Sequence, residues 1–225
     1  MLTFKLRYFL MIALCSGALM ESAFGEMRLK IVDQNGKPLP NAVIEYNTAT
    51  SATNSPSTTV NSDKVYVMDQ IDKQFAPLVL IIPEDSLVSF PNSDDIRHHV
   101  YSFSAAKTFE LKLYAGKPKS PIRFNKRGVV VMGCNIHDSM VGYIYVAANK
   151  NTVMSNEKGE VLLADTLPLQ TQLQIWHPNS TLGVAKHTSF TIDQTMLEKN
   201  ENPLIINISK PESRDSFEEL NEYDY

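Results

Sequence analysis

The sequence predicts an all-β protein built from β-sandwiches with Greek-key connections. Many short segments alternate apolar and polar residues with a period of two, and Pro, Gly, Asn and Asp residues separate them. No long segment has apolar residues at helical spacing, and only Met68–Gln74 and Gln194–Lys199 are candidates for short helices.

The first predicted strand is Met27–Val32, whose sequence MRLKIV alternates and ends at the turn signal Asp33–Gly36. A second alternating run, Ala42–Tyr46, precedes residues 47–63, which are mostly Asn, Thr, Ser and Ala and favour a flexible connector. The remaining predicted strands are Val65–Met68, Leu78–Ile82, Leu87–Phe90, His98–Phe103, Thr108–Tyr114, Gly128–Met132, Gly142–Ala147, Glu160–Leu163, Gln172–Trp176, Ser189–Ile192 and Leu204–Ile208.

The composition is that of an ordinary folded protein with one or two domains, since 43% of the 225 residues are hydrophobic and 20% are charged. The net charge of −4 argues against nucleic-acid binding, because no basic excess is available to neutralise phosphates. Residues 211–225 contain six acids and one arginine, which predicts a disordered acidic tail.

Residues 1–25 have the layout of a secretory signal peptide. Lys5 and Arg7 form a positive start, an apolar run follows, and Ala23 and Gly25 occupy the −3 and −1 positions of a small-residue cleavage site. An uncleaved anchor is the alternative. We expect a periplasmic or secreted protein whose mature chain has no transmembrane segment, because no later stretch approaches the roughly 20 apolar residues that a membrane helix needs.

Cleavage after Gly25 leaves a single cysteine. It removes Cys15, and it removes two basic residues and one acid, which changes the net charge from −4 to −5. An exported chain with one cysteine has no internal disulfide, so the thiol of Cys134 is buried, reactive or bound to a metal.

Several residues with metal-binding side chains accompany that cysteine in the sequence. Cys134, His137 and Met140 follow one another at a spacing of three between two predicted strands, and histidines also occur at positions 98 and 99. Two imidazoles, a thiolate and a weakly bound thioether are the ligands of a mononuclear blue-copper site. A zinc site would need further Cys or His in place of Met140, and each residue alone could be a buried thiol or a packing residue.

His98 and His99 are adjacent on a predicted strand, so their side chains face opposite sides of the sheet and only one can reach the loop. Residue pattern alone leaves the choice between them open.

The central part of the chain, about residues 66–147, resembles the plastocyanin and amicyanin branch of the cupredoxins. The similarity lies in Phe90–Asn92, in the pair His98-His99 followed by Val100, and in the Cys-x-x-His-x-x-Met-x-Gly pattern that begins at Cys134. More narrowly, the region looks like exported proteins labelled methylamine utilization proteins. The resemblance implies a cupredoxin Greek-key β-sandwich over residues 66–147.

The same resemblance implies which residues hold the copper. His98 takes the place of the first ligand, and Cys134, His137 and Met140 take the places of the other three. His99 stands where those proteins usually have an asparagine that braces the loop, so it is either a supporting residue or the alternative ligand.

The flanks resemble a carboxypeptidase-regulatory-like, or prealbumin-like, β-sandwich. Residues 27–46 look like its opening, and its usual continuation is found at Asn156–Gly159, Leu167-Pro168 and Leu173–Trp176. We therefore expect residues 26–50 and 150–210 to form one sandwich into which the cupredoxin domain is inserted. The alternative is that both flanks elaborate the cupredoxin.

Taken together, these patterns predict an exported type 1 (blue) copper protein that transfers single electrons between redox partner proteins. Four protein ligands leave no open position for a substrate, and five histidines are too few for a multicopper enzyme, so we expect no enzymatic activity. The alternative is a module that stores, delivers or senses copper without electron transfer, and a metal-free adhesion-like sandwich is the third hypothesis. We expect His177 and His187 to have surface or turn roles.

Overall fold

In a computed structural model of the chain, the described residues are 27–47, 64–118, 120–148, 151–163, 167–198 and 203–209. The predicted signal peptide (residues 1–25), most of the connector (residues 48–63) and the predicted acidic tail (residues 211–225) lie outside them.

Seventeen strands and one short helix make up the regular structure of the described residues. The first nine strands are β1 (Met27–Asp33), β2 (Val43–Tyr46), β3 (Val65–Val67), β4 (Asp69–Ile71), β5 (Gln74–Ala76), β6 (Val79–Pro83), β7 (Ser86–Ser89), β8 (His98–Ser104) and β9 (Lys107–Tyr114). The rest are β10 (Ile122–Phe124), β11 (Gly128–Cys134), β12 (His137–Ala147), β13 (Thr152–Met154), β14 (Glu160–Leu163), β15 (Gln172–Trp176), β16 (Thr188–Thr191), α1 (Gln194–Glu198) and β17 (Leu204–Ile206).

The all-β prediction is confirmed, with one local exception. A helix at Met68–Gln74 is wrong, because this segment contains β4 and the start of β5, which pair as a hairpin. Met68 and Gln70 are buried whereas Ile71 is exposed, a period of two that a helix cannot produce. The short helix α1 does form, and the Asp193 carboxylate caps it by accepting the backbone N–H of Met196 at 2.9 Å.

Strands β3–β12 form a unit that we call the central sandwich. Its larger sheet has the order β6-β12-β11-β8-β9, its smaller sheet has the order β10-β7-β3, and the β4–β5 hairpin completes it. Buried side chains from both sheets form its core: Met68, Phe75, Ile82, Val88, Phe90, Val100, Phe124, Val130, Met132, Cys134, Met140, Ile144 and Val146. Cys134 and Met140 belong to this core, so two of the candidate metal ligands are part of it.

The other strands form a unit that we call the flanking sandwich. Its two sheets have the orders β14-β1-β17 and β13-β2-β15-β16, so each combines a strand from before the central sandwich with strands from after it. A separate buried cluster that includes Ile31, Ile44, Leu163 and Ile175 fills the space between these sheets.

A third buried cluster joins the two sandwiches. Trp176 of β15 is fully buried, with ring centroids 5.5 Å from Tyr143 and 5.8 Å from Tyr145 of β12. The Tyr145 hydroxyl donates to Glu45 Oε2 at 2.8 Å, and burial followed by the Glu45 charge raises the pKa of Tyr145. Across the described segments, no helix is long and apolar enough to cross a membrane.

Candidate metal centre

Three of the predicted ligands meet at the end of the central sandwich. Cys134 Sγ lies 3.6 Å from His98 Nδ1 and 3.8 Å from His137 Nδ1. The two imidazole rings are tilted by 60° with their centroids 5.0 Å apart. One potential ligand atom from each residue therefore faces a common point, and all three atoms lie within 4.8 Å of one another.

A tight hairpin places two of these side chains together. Cys134 ends β11 and His137 begins β12, and the two are directly paired across a turn made by Asn135 and Ile136. The register then shifts, because Gly133 pairs with Val141. Residues 138–140 are therefore extra on β12, and such bulges re-aim side chains near functional sites.

Met140 lies within this bulge. Its side chain is 1% exposed and belongs to the same buried cluster as Cys134. The thioether is thus held inside the core at the end of the sandwich where the three clustered ligands lie.

His98 comes from the neighbouring strand β8. Its side chain is fully buried, whereas His99 points to the opposite face, where its Nε2 lies 2.9 Å from Glu110 Oε1. The His99 carbonyl accepts the backbone N–H of Asn135 at 3.1 Å, which ties the ligand hairpin to β8. The structure therefore brings His98 to Cys134 and leaves the His99 imidazole outside the cluster.

The two nitrogen–sulfur distances suit a metal ion held between these atoms. Nitrogen–metal bonds of about 2.0–2.1 Å and sulfur–metal bonds of about 2.3 Å, the lengths found at zinc, separate nitrogen from sulfur by about 3.6–3.8 Å for angles of about 110–120°. The observed separations of 3.6 and 3.8 Å match that range. The residues therefore fit a trigonal N₂S site with the buried Met140 as the additional sulfur.

The far nitrogen of His98 has a carboxylate partner. His98 Nε2 lies 2.7 Å from Oδ2 of Asp94, whose side chain is 11% exposed. Burial alone would raise the pKa of Asp94, but hydrogen bonds from His98 and from the backbone N–H groups of Lys73 and Asp72 outweigh it and hold the pKa below its usual value. Asp94 is therefore an ionised acceptor.

The loop between β7 and β8 is held by buried polar side chains. Asn92 Nδ2 donates to the carbonyls of Ile96 at 2.8 Å and Tyr114 at 2.9 Å, and its Oδ1 accepts the backbone N–H of Asp94 at 3.1 Å. The Tyr114 hydroxyl accepts from Gln70 Nε2 and donates to the Phe90 carbonyl. Burial raises the pKa of Tyr114 to about 12, so this hydroxyl keeps its proton.

The surroundings of the remaining histidine, His137, favour its neutral form. Partial burial and, after it, the neighbouring His98 and Lys73 lower the pKa of His137. A neutral imidazole has a lone pair free for a metal, as coordination requires.

The contact between Asp94 and His98 could not be predicted from the sequence. An acid four residues before a histidine is too common to signal such a pair, and only the folded loop brings the two together. The expected surface or turn roles fit His177 in part. It is buried, with Nε2 3.2 Å from the Pro40 carbonyl, and its Nδ1 accepts the backbone N–H of Asn179 in a turn.

No protein-family model matches the sequence. No curated protein matches it either.

Part of the chain resembles solved structures of copper proteins. A Cu-containing nitrite reductase from Thermus scotoductus is 26% identical over 38% of this chain, with a TM-score of 0.36, and the match spans only 23% of that enzyme. A purple cupredoxin from Nitrosopumilus maritimus is 22% identical over 38% of this chain and 100% of its own, with a TM-score of 0.33. An amicyanin variant in its reduced Cu(I) form is 18% identical over 48% of this chain and 99% of its own, with a TM-score of 0.33.

Proposed function

We propose that this chain is an exported type 1 copper protein of the cupredoxin family that passes single electrons between redox partner proteins and catalyses no reaction of its own. One observation carries the proposal. Nδ1 of both His98 and His137 faces Cys134 Sγ, at separations that a single bound metal ion would produce.

The chemistry of the donor set favours copper over zinc. A thiolate and a thioether are soft ligands that suit Cu(I), and imidazoles suit both oxidation states of copper. Structural zinc sites use Cys and His in all four positions, whereas here the buried residue beside the cluster is Met140. When bound, copper would supply a one-electron couple between Cu(I) and Cu(II).

The protein scaffold suits electron transfer because it holds the donor atoms in place. Cys134, His98 and Met140 are each at most 3% exposed and are fixed by β11, β8 and β12. Ligands that are already placed need little movement when the metal changes its charge. A closed set of four donors also leaves no position at which a substrate could bind.

His137 is the proposed point of electron entry and exit. It is half-buried, whereas the other three proposed ligands are buried. The neighbouring Ile136, in the turn, has 50% of its side chain exposed and offers an apolar contact to a partner protein. A partner that covers the turn would reach the proposed copper site through one imidazole ring.

Export to the periplasm or the cell exterior is part of the proposal and rests on the N-terminal residues 1–25. A lone thiol in an oxidising compartment is kept from random disulfide exchange when it is buried and bound to a metal. Cys134 is a buried free thiol.

The test is a visible absorption and EPR spectrum of the mature protein loaded with Cu(II). We expect intense thiolate-to-copper charge transfer that bleaches on reduction and returns on oxidation without release of copper. Cys134→Ser should abolish the colour. His98→Ala and His99→Ala form a matched pair of adjacent substitutions, of which only the first should abolish it.

A colourless Cu(II) complex of the wild-type protein would refute the type 1 site. Colour that survives in His98→Ala and disappears in His99→Ala would refute the ligand set. Release of copper on each reduction would favour delivery over electron transfer.

A further inference from the structure

We propose that Asp94 is a positioning residue for the copper site: it fixes His98 with its Nδ1 lone pair facing Cys134, and it lowers the reduction potential of the bound copper. The inference rests on the proposed function above. It concerns a carboxylate that is not itself a ligand and acts only through His98.

The hydrogen-bond chemistry fixes the imidazole. An ionised carboxylate can only accept, so the 2.7 Å contact with Asp94 Oδ2 requires a proton on His98 Nε2. In the neutral ring, a proton on Nε2 leaves the lone pair on Nδ1, which is the nitrogen that lies 3.6 Å from Cys134 Sγ. The Asp94 contact therefore selects the tautomer that can bind a metal at that point.

The protein holds the carboxylate itself in place from a second direction. Oδ1 of Asp94 accepts the backbone N–H of Asp72 at 2.7 Å, and Oδ2 accepts that of Lys73 at 3.0 Å. The backbone of Asp94 is fixed as well, since its N–H donates to Asn92 Oδ1. Each oxygen of Asp94 thus has a defined partner, and the carboxylate has little freedom to rotate away from His98.

The turn that supplies those two N–H groups has an unfavourable backbone conformation. Asp72 and Lys73 join β4 to β5 with φ angles of 54° and 59°. The left-handed conformation favours glycine, and neither residue is Gly. Both N–H groups of this turn point at Asp94, so the carboxylate that orients His98 also stabilises the strained turn.

The charge of Asp94 would affect the reduction potential of the bound copper. A carboxylate bonded to the far nitrogen makes the imidazole a stronger donor, and this favours the more highly charged Cu(II) over Cu(I). Loss of such a partner weakens metal affinity by about 10–100-fold. Each tenfold loss that falls on Cu(II) but not on Cu(I) raises the potential of a one-electron couple by about 59 mV.

The experiment compares two neighbouring acids that carry the same charge. Asp94→Asn keeps the shape and removes the charge, whereas Asp95→Asn removes the same charge from an exposed side chain next to it. We expect Asp94→Asn to weaken Cu(II) binding about tenfold or more relative to Cu(I) and to raise the potential accordingly. Asp95→Asn should leave both quantities close to the wild-type values.

A second measurement needs no copper, and its decisive result comes from the wild-type protein. In the metal-free wild-type protein, long-range ¹H–¹⁵N NMR of His98 should show the proton on Nε2, and Asp94→Ala should shift the ring toward a mixture of tautomers. A proton on Nδ1 of the wild-type ring would overturn the inference even if Asp94→Asn failed to fold.

The failures of the two proposals are distinguishable. If the wild-type protein gives no coloured copper complex, the proposed function fails whatever the tautomer. If it is coloured but Asp94→Asn and Asp95→Asn change the potential equally, the role of Asp94 fails and the copper site stands.

Discussion

At Gly142 the β4–β5 hairpin packs tightly against the sheet that bears the candidate ligands. It is buried on β12, two residues after Met140. A methyl group added to it would lie 2.6 Å from Cβ of Phe75 and 2.8 Å from its Cγ. Because the position of Cβ is fixed by the backbone, no rotation of the Phe75 ring can relieve this clash. In Gly142→Ala, β5 must therefore move away from β12.

The size of the effect follows from two opposing contributions. Replacing a strand glycine by alanine gains about 0.4–1 kcal/mol, because the unfolded chain loses conformational freedom. Overpacking a buried contact costs about 1–3 kcal/mol. Since the clash involves Cβ, we place the cost near the upper end and expect Gly142→Ala to lose about 2 kcal/mol of unfolding free energy. In a chain of this size that corresponds to a fall in Tm of about 4–8 °C.

Gly133 provides the matched control. It also lies in a strand of the same sheet, and a methyl group there would meet the Tyr101 side chain, with Oη at 2.9 Å and Cζ at 3.0 Å. These atoms form the far end of a half-buried side chain that can swing outward. Gly133→Ala should therefore stay within about 0.5 kcal/mol of the wild type.

The assay is urea unfolding of the metal-free proteins followed by circular dichroism, with thermal unfolding as a second measure. The steric reasoning is refuted if Gly142→Ala is as stable as the wild type. It is also refuted if Gly133→Ala loses as much stability as Gly142→Ala, because the two would then share a cause other than the contact with Phe75.

Two further predictions concern a ligand and a buried histidine. With the proposed ligand set, Met140→Leu should retain copper and raise its reduction potential, because a thioether would be a weak ligand. Voltammetry measures the shift, and complete loss of copper would mean that Met140 is a strong ligand. Burial lowers the pKa of His177 from 6.5, so the unfolded chain binds more protons in acid and the folded state loses stability as the pH falls below about 6.5. Urea unfolding between about pH 7.5 and 5 should show a smaller loss in His177→Gln than in the wild type, and equal losses would exclude His177 as a source.

Many strand positions could be predicted because alternate residues of those strands are buried. In β8, His98, Val100 and Ser102 point inward while the residues between them point outward, and this alternation is visible in the sequence. The short strands β10 and β13 have three residues each, too few for a period to stand out. The β4–β5 hairpin was missed because one of its two inward residues, Gln70, is polar and bonds to the Pro91 carbonyl at 2.8 Å, so that only Phe75 is an apolar signal.

The candidate site likewise has residues that the sequence predicts and contacts that it does not predict. Three of the candidate ligands could be found from sequence because the β11–β12 hairpin carries all of them, so their spacing alone predicts that they lie close together. They are Cys134, His137 and Met140. The partners of His98 could not be found in this way, since Asp94 is held by Asp72 and Lys73 from a separate hairpin. Contacts between elements that are distant in sequence leave no periodic pattern.

The two ends of the flanking sandwich's interrupted chain lie side by side, because the N–H of Tyr46 donates to the carbonyl of Asn151 at 3.1 Å. For protein engineering, we expect residues 47–150 to be removable as a cassette, with a linker of a few glycines to close the gap. Excision would uncover Trp176 and Val43, so a trimmed scaffold would need polar replacements at both positions. The same junction could then accept a different guest domain whose own termini are equally close.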